Sequence, residues 1–81
     1  MDPVTESWYG VATSELAASN LEAEKLLQEG KEDRAAAAIT HGQGLAARLL
    51  SAPRPTLAAM EAASDLDQLY AKMLLANKNY G

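Results

Sequence analysis

One histidine, His41, and no cysteine stand in the 81 residues of this chain, so the side chains that most often bind metals or act as nucleophiles are nearly absent. His41 has no companion at ligand spacing, which makes it an ordinary surface or half-buried histidine rather than a ligand or a general base. Glu22, Glu24 and Glu29 recur as a solvated helix face would, not as a pair of converging carboxylates. Gly42-Gln43-Gly44 is too short for a phosphate loop and follows no strand-like segment. The residues therefore predict no catalytic group, no cofactor and no metal, and a protein that is not an enzyme.

What the chain carries instead is a means of packing helices. Between residues 35 and 47 it reads AAAAITHGQGLAA, and helical periodicity gathers Ala35, Ala38, Gly42 and Ala46 on one face, bordered by Ile39, Leu45, Leu49 and Leu50. Small residues at steps of three and four make a shallow groove for a neighbouring helix. The fold class expected is all-α: a three-helix bundle in which an antiparallel hairpin of helices 1 and 2 is joined by a third helix after a Pro-Arg-Pro elbow.

The boundaries follow from start and stop signals. Asp2-Pro3 is a capping residue followed by a residue suited to a first turn, so helix 1 is expected at about 3–29, with Gly30 as its stop. Its stripe is Val4, Trp8, Val11, Ala12, Leu16, Ala23, Leu26 and Leu27. Ser19-Asn20-Leu21-Glu22 matches a capping box, which leaves a break within residues 13–19 as the alternative to one long helix. Helix 2 is expected at about 33–51 with Asp33 as its cap. Helix 3 is expected at about 56–77, beyond Pro53-Arg54-Pro55, with Ala59, Ala62, Ala63, Leu66, Leu69, Tyr70, Met73 and Asn77 on one face, and Asn77-Lys78-Asn79-Tyr80-Gly81 fraying out as a tail. The whole of 1–81 reads as one domain. Gly44 lies opposite the groove, where nothing in the sequence offsets the roughly 1 kcal/mol that a glycine costs inside a helix.

Composition narrows the function. Seventeen alanines, twelve leucines and no phenylalanine give an apolar content that is ordinary in number but small in volume, so a lone domain of this size has a thin margin and association is expected to supplement it. The net charge of −4 disfavours nucleic acid, whose phosphates need clustered Lys and Arg. Residues 1–33 hold eight acids against Lys25 and Lys31, whereas 34–57 hold Arg34, Arg48 and Arg54 and no acid, so helices 1 and 2 attract weakly. No basic patch followed by an apolar run opens the chain and no apolar stretch reaches membrane length, so a soluble, cytoplasmic protein is expected, with no membrane contact.

Three family patterns touch the sequence briefly. An enzyme of the chorismate mutase type needs several arginines reaching into a helix-lined pocket, and helix 1 has none. Trp8-Tyr9-Gly10 resembles the W-x-G motif of small secreted helical hairpins, in which it occupies the turn between two long helices rather than the start of the chain. LLQEGKEDRAAAAI resembles the turn of a tetratricopeptide hairpin, here in one copy with no repeat to stack upon. The function expected is a non-enzymatic protein-interaction module, an assembly factor, small chaperone or inhibitor that occupies a partner surface, as a homodimer or a heteromer. Its candidate contacts are Trp8, Tyr9, Leu21, Leu57, Met60 and Leu75. The alternatives are a helical nucleic-acid regulator using Arg34, Arg48 and Arg54, and a helical enzyme or ligand binder.

Overall fold

The computed structural model describes residues 7–78, so the expected start at Asp2-Pro3, with Val4, and residues 79–81 of the expected tail lie outside it, while Asn77 and Lys78 belong to the last helix rather than to a tail. Three α-helices, α1 (Ser7–Gln28), α2 (Glu32–Leu50) and α3 (Leu57–Lys78), make up an all-α bundle with no strand among the described residues. Cross-helix pairs fix its directions. Glu15 meets His41 and Ser19 meets Ala38, so α1 and α2 run antiparallel; Tyr9 meets Thr56, Asn20 meets Ala62 and Glu24 meets Lys72, so α1 and α3 run parallel.

Both turns have identifiable chemistry. Gly30 takes φ +77°, a left-handed conformation that a side chain disfavours, while its N–H bonds the Leu27 carbonyl and the Lys31 N–H bonds that of Leu26. This pair of bonds is the Schellman motif, and it satisfies carbonyls that the end of α1 would leave open. Asp33 is not the cap of α2: the helix begins one residue earlier at Glu32, and Lys31 holds the cap position without a side-chain bond. Glu32 and Asp33 lie in the first turn, where the helix dipole favours them. Past the prolines, the Thr56 hydroxyl accepts the Ala59 N–H at 3.1 Å and starts α3.

The core is a column of modest side chains. Tyr9, Leu16, Ile39 and Leu49 are its largest fully buried members, joined by Ala12, Ala23, Ala35, Leu45, Ala46, Ala59, Ala62, Ala63, Leu66 and Leu69. Three residues expected inside are outside: Val11 is 64% exposed, Trp8 38% and Tyr70 41%. On α1 the buried positions 9, 12, 16, 20, 23 and 26 advance by three and four, with Leu27 half-buried beside them, so the stripe passes through Tyr9 rather than Trp8 and leaves Val11 on the far side. The helix continues without a break through residues 13–19. Ser19 and Asn20 do not cap anything; their side chains reach to α2 and α3 instead.

Gly42 lies at the centre of the bundle. A β-carbon there would stand 3.2 Å from Leu66 Cδ1 and 3.3 Å from Leu16 Cδ1. The groove of Ala35, Ala38, Gly42 and Ala46 thus receives leucine side chains from both neighbouring helices, not the backbone of α1 alone. Ala35, Gly42 and Ala46 are buried, Ala38 is half-buried, and Leu50 on its border turns outward.

Candidate functional site: the cleft between α1 and α3

The two seams made by α1 are closed to different degrees. Against α2, Leu16 fills the space over Gly42, the Ser19 hydroxyl donates to the Ala38 carbonyl at 3.0 Å, and His41 Nε2 lies 2.8 Å from Glu15 Oε2 at the surface. His41 therefore has a carboxylate partner from another helix, which its own helix could not reveal. Further along this seam the Arg48 guanidinium lies 5.6 Å from the centre of the Trp8 ring, which meets Tyr9 edge-on at 5.4 Å. Among the described residues no three His, Cys, Asp or Glu side chains gather as a metal site would require.

Between α1 and α3 the helices leave an open cleft of about 570 Å³. Its apolar lining comes from Ala17 and Leu21 on α1 and from Ala58, Ala62 and Leu69 on α3. Three of these five are alanines, so the apolar walls fill little of the space between the helices. Glu24, Glu61, Asp65, Gln68 and Lys72 form the polar rim, three acids against one lysine. At the C-terminal end of the cleft Lys72 Nζ comes within 3.8 Å of Glu24 Oε2, an exposed and therefore weak tie between its two sides.

Asn20 sets the character of this cleft. It occupies a slot in the buried 9-12-16-20-23-26 series of α1, where the pattern asks for an apolar side chain, and it is 7% exposed. Its Nδ2 donates to the Ala62 carbonyl at 2.9 Å, while its Oδ1 is buried without a hydrogen-bond partner. A buried acceptor left unpaired costs on the order of 1–3 kcal/mol.

The residues expected to touch a partner are dispersed. Leu21, 70% exposed, forms part of the cleft. Tyr9 is 1% exposed and is a core residue, not a surface contact: its ring packs inside and its hydroxyl accepts the Thr56 N–H at 3.0 Å, fastening the proline elbow to α1. Leu57, Met60 and Leu75 are exposed on α3 but do not line the cleft. Leu57 and Leu75 are separated by five helical turns, about 27 Å, with Ser64 and Gln68 along the way, so they do not make one patch. Ala17, Asn20 and Ala58 were not anticipated as site residues, and the one signal for them was the polar residue in the α1 stripe. No helix among the described residues is long and apolar enough to cross a membrane. Comparison with protein-family models, curated proteins and solved structures returns no match.

Proposed function

We propose that this chain is a helical protein-interaction module, without catalytic activity of its own, and that it works by taking a partner segment into the cleft between α1 and α3. The observation that carries this reading is the open cleft itself, its apolar lining three alanines and two leucines inside an acidic rim, with the Asn20 amide only half hydrogen-bonded in its wall. A polar side chain kept half-bonded beside a place where a ligand can lie is easier to understand as part of a binding surface than as packing alone. The acidic rim disfavours the nucleic-acid alternative at this surface, because Glu24, Glu61 and Asp65 would repel phosphate. The assembly-factor, chaperone and inhibitor roles all use such a surface and differ only in what the partner does.

A photo-crosslinking residue placed at Leu21 or Ala58 in the native cell, with Gln43 and Ala47 on the outer face of α2 as controls, tests the reading. The expected result is one adduct of defined mass from the cleft positions and none from the controls. Equal labelling at all four positions, or none at the cleft, would contradict it.

A further inference from the structure

We infer that the occupant of the α1–α3 cleft is a cationic amphipathic helix of a different protein, about four turns long, whose large apolar side chains complete a four-helix bundle. The inference rests on the cleft being the docking surface. Along α3 the lining runs from Ala58 to Lys72, about 21 Å at the rise of an α-helix. That length, between two parallel helices, matches the contact face of a third packed alongside them. Because the lining offers alanine at Ala17, Ala58 and Ala62, the volume must come from the incoming side, as leucine, isoleucine, methionine or phenylalanine.

Charge decides which protein supplies that helix. The rim has Glu24, Glu61 and Asp65 against Lys72, and lysines or arginines flanking the apolar face of the partner would meet those acids. A second copy of this chain fits poorly. The outer face of α2 carries no acid between residues 34 and 50, but it presents Ala37, Thr40, Gly44 and Ala47, too small to fill an alanine cleft. The outer side of α3 has Leu57 and Met60, yet would bring Asp67 and its own Glu61 towards like charges.

The experiment uses the full chain and three synthetic helix-forming peptides of about 18 residues: one with a leucine face flanked by lysines, its Lys→Glu counterpart and its Leu→Ala counterpart. Backbone amide shifts are followed by NMR. The inference expects saturable shifts at Ala17, Leu21, Ala58 and Ala62 with the first peptide only, weakened at least tenfold by Glu61→Lys with Asp65→Lys and abolished by Ala58→Leu, which fills the cleft from an exposed position. Circular dichroism establishes that each variant is folded. Binding of the Lys→Glu peptide with equal affinity, shifts spread over acidic surfaces away from the cleft, or a native mass of a dimer with the cleft protected would each overturn it. If Leu21 still crosslinks a partner in cells while the cationic peptide does not bind, the cleft stands as the docking surface and the chemistry assigned to its occupant falls. If neither occurs, both fall.

Discussion

The α1–α2 seam and the α1–α3 cleft are built by the same helix, with opposite results. Towards α2, Leu16 meets a glycine and the remaining polar groups find partners: Ser19 the Ala38 carbonyl, Glu15 the His41 ring. Towards α3, Ala17 and Leu21 face alanines across open space, and Asn20 is half satisfied. A large side chain opposite a small one closes a seam; two small ones opposite each other leave room. The difference teaches that the small-residue groove of α2 is spent on making the fold, and that the unfilled side of the bundle is where an external helix has a place.

The largest test of this contrast is at Gly42. Gly42→Leu would force a side chain into space held by Leu16 and Leu66. Overpacking costs typically 1–3 kcal/mol and at so enclosed a site about 3 or more, a large share of the roughly 5 kcal/mol that a domain of this size commands. Loss of the cooperative thermal transition in circular dichroism is expected; a folded Gly42→Leu chain that had lost only binding would move the groove from the fold to the function. Tyr9→Phe comes next. It removes the acceptor for the Thr56 N–H and should cost about 1–2 kcal/mol in urea denaturation. An unchanged midpoint would mean that the prolines hold the elbow without help from α1.

The smallest effect is expected two residues from the groove. A β-carbon at Gly44 meets nothing within 4 Å, so Gly44→Ala should stabilise by up to about 1 kcal/mol through helix propensity alone. That corresponds to a melting temperature raised by roughly 4–8 °C. A lower melting temperature would mean that the outer face of α2 is itself covered by a neighbour, and the comparison between seam and cleft would have to be redrawn.

The elements were legible in the sequence because their signals are local. Gly30, the two prolines of the elbow and the three-four spacing of Ala59, Ala62, Ala63, Leu66 and Leu69 act through backbone geometry and one-sided burial, which a single segment records. The cap of α2 is misplaced by two residues, Asp33 for Lys31, because the chemistry of Asp33 suits a cap and a first turn alike. Within Trp8-Tyr9 the choice of inner ring turns on a rotation of 100°, settled by where Thr56 needs an acceptor 47 residues later. The cleft was illegible for the same reason. Ala17 and Ala58 are unremarkable on their own helices, and an alanine does not announce whether the residue opposite it is large. Asn20 was visible as a polar interruption, yet the capping-box pattern around it supplied a local explanation that the continuous helix overrides.

The thermodynamic stability of Asn20→Leu, from urea denaturation of the full chain, tests the central claim most directly. Replacing the amide removes one hydrogen bond to the Ala62 carbonyl, worth about 1 kcal/mol net, and also removes the penalty of the unpaired Oδ1 while adding apolar contact. If the α1–α3 side has been left incomplete for a partner, the variant is as stable as the parent or more stable by about 1 kcal/mol. A loss of about 2 kcal/mol or more would contradict the account, because Asn20 would then be holding the fold together rather than waiting for a ligand.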